Sequence, residues 1–435
     1  MPTNGVAVPP HWGVNFAVHD ADATVQHAAA LGGAVLMGPM DTPGFRNALT
    51  RADRRPKRYA GIKPRHEPNR RTGATDGCAT WQAGNRQLMP KRAVVLGATG
   101  QIGRAVVHAL SSRGWEVRGL SRGQRERPVE LDAEVATVDR DQDEALAAAL
   151  PANTDALVDI VAYTPAHAAQ LLKLQGRVES LVVISSASVY ADDQGRTIDE
   201  AIDEASFPAL PVPIPETQLT ARPGDATYST QKVAMEQTLL EQDAIPVTVL
   251  RPCAVHGPGA EGAREWWVVG RARDARRYLP LAYGGGTTFH PTSTANLAEL
   301  ACLAAEQPGT RVLNCGDPDP PDVRTLVRLA GAAVDYHPIE VLLPGAPEAA
   351  VGESPWTAPK PFILDMTAAQ QALGYKPVTT YAAAVQETSR WLLDHTRARF
   401  WQEALPQLAP AADVIFPYEA EDMLLQRLTG VGPMI

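Results

Sequence analysis

From Lys91 onward, short β-rich runs alternate with helical stretches, and this alternation limits the fold more than any other feature of the 435-residue chain. Several runs are continuously apolar, as strands buried on both faces of a sheet are. Strand and helix in alternation predict an α/β fold with a parallel, doubly wound sheet covered by helices on both sides. The predicted strands are RAVVLGA (92–98), EVRGLSR (116–122), AEVATVD (133–139), ALVDIVA (156–162), SLVVISSASVY (180–190), PVTVLRP (246–252) and RVLNC (311–315).

The first predicted strand runs directly into a glycine-rich turn that opens a helix. Gly97 permits the tight turn, Gly100 lets the backbone approach a pyrophosphate, and Gly103 lets the helix pack close to the strand. The N–H groups and the dipole at the helix start attract phosphate groups. The turn therefore predicts a Rossmann-type dinucleotide site. Between these glycines the predicted cofactor-binding residues also include Thr99, Gln101 and Ile102.

The end of the second predicted strand bears on which dinucleotide binds. Enzymes that choose NAD usually place Asp or Glu there to hold the ribose 2′-hydroxyl, whereas this strand ends in Leu120-Ser121-Arg122. Arg122 is suited to a 2′-phosphate, so the pattern favours NADP and leaves NAD open. Asp139, at the end of the third strand, either accepts a bond from the adenine amino group or caps the following helix.

A tyrosine and a lysine four residues apart begin the predicted helix YSTQKVAMEQTLLEQ. Tyr228 and Lys232 share one face of that helix, so both side chains can reach the same point. A free tyrosine has a pKa near ~10, and a nearby ammonium together with an oxidised nicotinamide ring favours the phenolate. Ser186 lies where the strand 180–190 leaves the sheet, at the carboxyl end where ligands bind. These three residues are the predicted catalytic acid/base unit.

Four motifs in this order resemble an extended short-chain dehydrogenase/reductase of the NAD-dependent epimerase/dehydratase kind. They are the glycine pattern, SSASVY (185–190), YSTQK (228–232) and RPCAVHGPG (251–259), and the resemblance covers roughly residues 92–397. It prefers Ser186 over Ser185 and Ser188, because the family's hydroxyl stands three places before the Val of the Val-Tyr pair. The resemblance implies cofactor contacts by Gly97, Gly100, Gly103, Arg122 and Asp139, and catalysis by Ser186, Tyr228 and Lys232.

Departures from the family's pattern limit which of the family's reactions and substrates are compatible with this sequence. Ala187 and Ser188 stand where sugar dehydratases of the family carry an Asp-Glu pair, which argues against dehydration by that mechanism. We align Phe289 with the arginine that nucleotide-sugar epimerases use to bind the diphosphate. The lack of that arginine argues against a nucleotide-sugar substrate. Asn296 replaces an aspartate, and the segment Ala162–Pro165 replaces a small-residue turn.

Substrate contacts are expected from the loop-rich segment 196–225 and from the region after Pro258, because specificity usually resides in loops. Trp266 and Trp267 either form a pocket wall or pack in the core, and packing is the preferred interpretation. His256 either assists proton transfer or, as we prefer, occupies a turn at a strand end.

The first fifty residues form a separate block. HWGVNFAV (11–18) predicts a strand, Asp20-Ala21-Asp22 can cap a helix, and AVLMGPM (34–40) predicts another strand. The block resembles half of a vicinal-oxygen-chelate module of the glyoxalase type, and the resemblance fades after Asn47, where a last strand is expected. Such modules enclose a site in pairs. A metal site through His11 is one interpretation, and a remnant or docking piece is preferred, so no metal is expected.

The linker, the tail and the overall composition indicate where the protein is located in the cell and which partners are disfavoured. Residues 51–91 are basic, interrupted by Gly and Pro, and predict a linker, while 398–435 predict a helical tail. The net charge of −9 and the lack of an aromatic platform in the linker disfavour nucleic acid. Four widely spaced cysteines argue against zinc and disulfides. No secretion signal or stretch of ~18 apolar residues is evident, which predicts a cytoplasmic protein away from membranes.

Two functional hypotheses follow from these patterns. The first is an enzyme that moves hydride between a nicotinamide cofactor and a small-molecule alcohol or ketone, including a sugar-like substrate, as a reductase or an epimerase. The alternative is a non-catalytic, nucleotide-binding scaffold or RNA-binding regulator, which the basic linker and the fused front end favour. A homodimer is left open.

Overall fold

A computed structural model describes residues 34–42, 45–51, 90–125, 127–128, 130–131, 133–260 and 262–429. The chain divides into two compact units, Met1–Asp76 and Gly77–Ile435. In the first unit, β1 (Ala34–Thr42) pairs in antiparallel fashion with β2 (Phe45–Arg51). β1 confirms the strand predicted at 34–40, and β2 occupies the point where the chelate-type pattern fades. The strand predicted at 11–18, the capped helix after it, His11 and most of the predicted linker lie outside the described residues.

The second unit contains eleven named strands within its described residues. They are β3 (Arg92–Leu96), β4 (Glu116–Ser121), β5 (Glu134–Thr137), β6 (Ala156–Asp159), β7 (Leu181–Ile184), β8 (Val247–Pro252), β9 (Val255–His256), β10 (Tyr278–Leu281), β11 (Thr292–Ser293), β12 (Arg311–Cys315) and β13 (Ile339–Leu342). Seven form one sheet in the order β12-β8-β7-β6-β3-β4-β5. Every pairing in that sheet is parallel. All seven predicted strands are therefore confirmed, and so is the Rossmann-type fold.

Helices connect the strands of the sheet and cover both of its faces. They are α1 (Gln101–Ser112), α2 (Asp143–Ala149), α3 (Pro165–Leu172), α4 (Tyr228–Leu240), α5 (Trp266–Arg273), α6 (Thr294–Glu306), α7 (Val323–Ala332), α8 (Thr367–Leu373), α9 (Tyr381–His395), α10 (Trp401–Ala404), α11 (Ala412–Ile415) and α12 (Tyr418–Thr429). Among the described residues, no helix is long and apolar enough to cross a membrane.

Alternate residues of each central strand feed two separate cores, because successive side chains of a strand point to opposite faces. Val95 packs in a cluster with residues of α1 and α6, such as Leu110 and Leu300. Its neighbour Val94 packs in a second cluster with residues of α3 and α4, such as Leu171. Burial on both faces explains why the strand sequences are continuously apolar.

The sheet positions the site through its strand order. β4 and β5 extend from one side of β3, while β6, β7, β8 and β12 extend from the other. The connections after β3 and β6 therefore leave the sheet in opposite directions, which opens a crevice at the carboxyl ends of these strands. The glycine turn follows β3 at this crevice.

The tryptophan pair takes the packing role preferred from sequence, and His256 lies at a strand end, as preferred for it. Trp266 and Trp267 are almost fully buried. Trp267 packs in a core with Trp356 and Phe362, and all three residues come from the part of the chain after β8. His256 ends β9 inside the protein, where its Nε2 lies 2.7 Å from Asp317 Oδ2. None of these side chains lines the cavity described below.

The tail after Arg397 packs on α5. The guanidinium of Arg271 donates to Glu421 Oε1 at 2.6 Å, and each residue is only 1% exposed. Arg271 also stacks over the Trp267 ring, with 3.8 Å between its Cζ and the ring centroid. Phe416 lies against Gly270, where any added Cβ would collide with its ring. The tail is therefore part of the fold of this unit.

We predict that Glu421→Ala lowers the free energy of unfolding by about 3–5 kcal/mol, because it leaves the Arg271 guanidinium buried without its carboxylate. The exposed Glu419 on the same helix provides the control. Urea titration monitored by tryptophan fluorescence should find Glu419→Ala close to the unaltered protein. Equal stability of the two variants would show that the tail is not anchored through this ion pair.

Candidate active site

The glycine turn is shaped by close backbone contacts. Gly97 adopts φ +92°, a conformation that favours glycine, and a Cβ there would come within 2.9 Å of Val161 Cγ1. A Cβ on Gly103 would collide with the carbonyl oxygen of Gly97. Gly100 is the N-cap of α1 and supplies no side-chain cap, so the first turn of the helix has no side-chain oxygen over it. This open cradle at a helix N-terminus fits a dinucleotide diphosphate.

Two side chains connect the turn to its surroundings. Gln101 Nε2 donates to the carbonyl oxygen of Gly257 at 3.1 Å, which ties the turn to the loop after β9. A Cβ on Gly100 would lie 3.3 Å from Arg125 Nη1, so a guanidinium lies beside the turn. Sequence reasoning missed Arg125, because it stands outside the strand end where a ribose-binding residue is sought.

The two residues predicted to contact the adenosine part of the dinucleotide follow neighbouring strands. Arg122 is exposed and comes directly after β4. Asp139 is exposed after β5, and its Oδ1 accepts the N–H of Asp141 at 3.2 Å. The following helix α2 has Gln142 as its N-cap and no side-chain cap, so the capping role weighed for Asp139 above is wrong. The cofactor roles of both residues stay predictions.

Ser186, Tyr228 and Lys232 line one cavity of about 420 Å³ at the carboxyl end of the sheet, together with Ile102 of the glycine segment. The start of α4 is fixed from both sides. The Thr227 side chain accepts the N–H of Thr230, and the Thr230 hydroxyl accepts the N–H of Thr227. This capping box makes Tyr228 the first residue of α4 and directs Tyr228 and Lys232 to the same face.

The position of the catalytic hydroxyl distinguishes Ser186 from its neighbours. Ser186 follows the end of β7, and its hydroxyl lies near enough to the Tyr228 phenol to lower the pKa of that phenol. Ser188 is engaged elsewhere, since the Ser229 hydroxyl donates to its carbonyl and its hydroxyl oxygen at 2.8 and 2.9 Å. Ser186 is therefore available beside the phenol, and the catalytic role that the family resemblance implies for it stays a prediction.

Lys232 is buried beneath the cavity. Its Nζ donates to the carbonyl oxygen of Ala162 at 2.7 Å and to that of Ile184 at 3.0 Å. Burial lowers the pKa of Lys232 to about 8, although the carboxylates of Asp159 and Glu236 partly oppose the shift. An ammonium has three donors, so one N–H remains for a ligand.

The Tyr228 side chain is 45% exposed. Partial desolvation raises the pKa of its phenol above the ordinary value, proximity to Ser186 lowers that pKa, and the nearby Tyr163 and Asp199 raise it. The Lys232 ammonium lies 5.7 Å from the Tyr228 ring centroid, where it is already bonded to two carbonyls. Stabilisation of the phenolate by this ammonium together with an oxidised nicotinamide ring stays a prediction.

Several residues of the site carried no signal in the sequence. The Tyr163 ring lies beside that of Tyr228, with centroids 5.4 Å apart. Asp199 Oδ2 accepts the N–H of Ser229 at 2.7 Å, which braces the start of α4 from a distant loop. Asp159 ends β6 in a buried ion pair with Arg140 at 2.9 Å and contributes to the charge felt by Lys232.

No three His, Cys, Asp or Glu side chains among the described residues are grouped to hold a metal ion. The site is thus built from a glycine cradle and an acid/base trio. The fold and these residues define a Rossmann-type domain suited to a dinucleotide.

Comparisons with known proteins agree with this class. Residues 93–173 match the model of the NAD dependent epimerase/dehydratase family, and residues 135–271 match a model described as male sterility protein. The solved structure of UDP-glucose 4-epimerase from Thermotoga maritima is 18% identical and superposes with a TM-score of 0.54, covering 70% of this chain and 99% of that chain. These matches confirm that the domain is similar to NAD-dependent epimerases and dehydratases.

Curated relatives match shorter parts of the chain. The 2′-dehydrokanamycin reductase of Streptomyces kanamyceticus is 28% identical over 149 residues, 34% of this chain and 37% of that protein. The anthracycline biosynthesis protein DnrV of Streptomyces peucetius is 62% identical over 42 residues, 10% of this chain and 15% of that protein.

The putative glyoxylase CFP32 of Mycobacterium tuberculosis is 44% identical over 57 residues, 13% of this chain and 22% of that protein. It confirms the glyoxalase-like resemblance of the N-terminal part. The chain spans only 15% to 37% of the length of these relatives.

We predict that the stability difference between the unaltered protein and Lys232→Met changes with pH. The pKa of Lys232 is lowered from 10.5 to about 8 on folding. Between these values the unfolded lysine holds a proton that the folded one has lost, so the unaltered protein gains stability as pH rises. The gain should approach about 1.4 kcal/mol per pH unit between pH ~8 and ~10, with no change below pH ~7.

Chemical denaturation of both proteins from pH 6 to 10 measures this difference, and subtraction cancels the other titrating groups. A difference that stays constant across the range would contradict the burial of an ionisable ammonium at this position.

Proposed function

We propose that the chain is an NADP(H)-dependent oxidoreductase that reduces a ketone to a secondary alcohol. The observation that carries this proposal is the meeting of Ser186, Tyr228 and Lys232 in one cavity with Ile102 of the glycine segment. A phenol, a hydroxyl and an ammonium at the carboxyl edge of a Rossmann sheet form a complete proton-transfer unit.

The glycine turn, with the N–H groups of α1, would hold the diphosphate, and the third donor of Lys232 would bond the nicotinamide ribose. A nicotinamide dinucleotide, when bound, supplies or accepts the hydride. The protein's own residues handle the substrate oxygen. Ser186 donates a hydrogen bond to the carbonyl oxygen, and the Tyr228 phenol delivers the proton that makes it a hydroxyl.

The proposed direction is reduction, in which the Tyr228 phenol gives its proton to the substrate oxygen as negative charge develops there. The match to a reductase, 2′-dehydrokanamycin reductase, is consistent with that direction. Lys232, at a pKa of about 8, keeps its charge near neutral pH and offsets charge developing on the phenol.

The second candidate is an epimerase, which would return the hydride to the opposite face of the same carbon. The solved structure of UDP-glucose 4-epimerase that superposes on the domain favours it. The same trio serves both reactions. Release of the ketone or alcohol into solution distinguishes a reductase from an epimerase.

We predict that Tyr228→Phe lowers kcat for ketone reduction by about 10²- to 10⁴-fold, because it removes the proton donor. NADPH oxidation should be followed at 340 nm with a panel of cyclic ketones and keto sugars. Tyr278→Phe, on β10 outside the cavity, is the matched control and should keep full activity. Undiminished turnover by Tyr228→Phe would exclude the mechanism, and lack of turnover by the unaltered protein would favour the scaffold alternative.

We also predict that Arg122→Ala weakens binding of NADPH by about 10- to 100-fold and leaves NADH binding unchanged, since only NADPH carries the 2′-phosphate. Arg92→Ala, at the opposite end of the sheet, is the control. NADPH fluorescence on titration measures both. An equal effect on the two cofactors would reassign Arg122, and tighter binding of NADH by the unaltered protein would favour NAD.

A further inference from the structure

One arginine in the cavity wall has no role in the chemistry proposed above. Arg264 lies just before α5 and is half-buried where it lines the cavity. Its charge reaches the Cys253 thiol and the Glu265 carboxyl, which are both buried behind the same wall. The guanidinium therefore stands on the side of the cavity formed by β8 and the loop that follows it.

The donors of Arg264 are not used within the described part of the chain. No described carboxylate lies within ion-pair distance of it, and it donates no hydrogen bond to a described residue. Asp199 is the carboxylate that lines the cavity among the described residues, and it accepts the N–H of Ser229. A half-buried guanidinium without a partner carries a desolvation cost that an anionic ligand would remove.

An aromatic surface lies in the same cavity. Phe289 lines it and stacks on Phe362, with ring centroids 5.2 Å apart and an interplanar angle of 17°. The adjoining wall is apolar, with Ile198, Ala254 and Val255. A flat ring on a ligand would gain contact with the exposed face of Phe289.

Size and charge limit the ligand further. The cavity of about 420 Å³ must hold the reacting part of the cofactor and the substrate together. Its wall contains two cations among the described residues, and Lys232 is held by two carbonyls, which leaves Arg264 for the substrate. One guanidinium matches one carboxylate in a bidentate pair, whereas a diphosphate presents more charge than this wall compensates.

We propose that Arg264 and Phe289 form a substrate subsite for a small ring ketone or alcohol that carries a single carboxylate. This inference rests on the proposed oxidoreductase function and names its substrate class. Arg264 is the specificity-determining residue that binds the carboxylate, and Phe289 contacts the ring. Nucleoside diphosphate sugars are excluded by this wall.

Benzoate tests the subsite without requiring turnover. Isothermal titration of the full chain should show benzoate binding and much weaker binding of the neutral benzamide. Arg264→Met should weaken benzoate binding by about 10- to 100-fold, because a charged hydrogen-bonded pair is lost. Arg264→Lys should retain part of the affinity. The exposed Arg273 on α5 supplies the control, and Arg273→Met should bind benzoate as the unaltered protein does.

The ring contact is tested separately. Phe289→Ala should reduce the preference for benzoate over acetate by about 10-fold, since only benzoate has a ring to pack on the aromatic wall. UDP-glucose should not displace bound benzoate. Equal benzoate affinity in Arg264→Met and the unaltered protein, or tighter binding of UDP-glucose than of benzoate, would overturn the proposal.

NADPH titration of the same variants keeps the two proposals apart. Arg264→Met should bind NADPH unchanged, because the glycine turn and Arg122 are intact. Failure of NADPH binding by the unaltered protein would remove the oxidoreductase function while benzoate binding still reports on the subsite. With NADPH bound, 3-oxocyclohexane-1-carboxylate should be reduced with a lower KM than its methyl ester, and Arg264→Met should abolish that difference.

Discussion

The buried ammonium of Lys232 is the contact on which the site depends. It donates to the carbonyl oxygen of Ile184, the last residue of β7, and to that of Ala162, which follows the neighbouring strand β6. A buried ammonium is tolerated only when its donors are bonded, so these carbonyls fix where α4 meets the sheet. The phenol of Tyr228, one helical turn earlier, is thereby placed beside Ser186. Desolvation of the Lys232 ammonium also lowers its own pKa to about 8, close to the range in which proton transfer is efficient.

Around this contact, the two halves of the cavity come from different parts of the chain. The glycine turn after β3 and the end of β7 supply the half suited to a dinucleotide. Segments that follow β8 and precede β11 supply Arg264 and Phe289 on the other half. The tail supports this second half indirectly, because the buried pair of Arg271 and Glu421 holds it against α5. Under the proposed function, the sheet would hold the cofactor and the later segments would contact the substrate.

Much of the fold was accessible from the sequence because strand and helix patterns are local. All seven strands of the sheet were predicted, but several runs were drawn too long at their carboxyl ends. The run 180–190 is a strand only to Ile184, after which the chain turns into a short 3-10 helix at Ala187–Val189. Ala187, Val189 and Tyr190 are buried beyond the strand, so burial does not mark where strand pairing ends. Arg264 was not singled out, although it lies in the region after Pro258 where substrate contacts were expected, because only the tertiary fold brings it to the cavity.

The sequence by itself determined the alternation of strands and helices, the glycine turn and the four-residue spacing of Tyr228 and Lys232, since each depends on neighbours along the chain. Only the tertiary structure showed what the neighbouring serines contact, because the Ser229 hydroxyl that donates to Ser188 comes from a different part of the chain. It also decided the acidity of Lys232. Burial lowers the pKa of Lys232 to about 8, and burial is a property of packing that no local pattern contains.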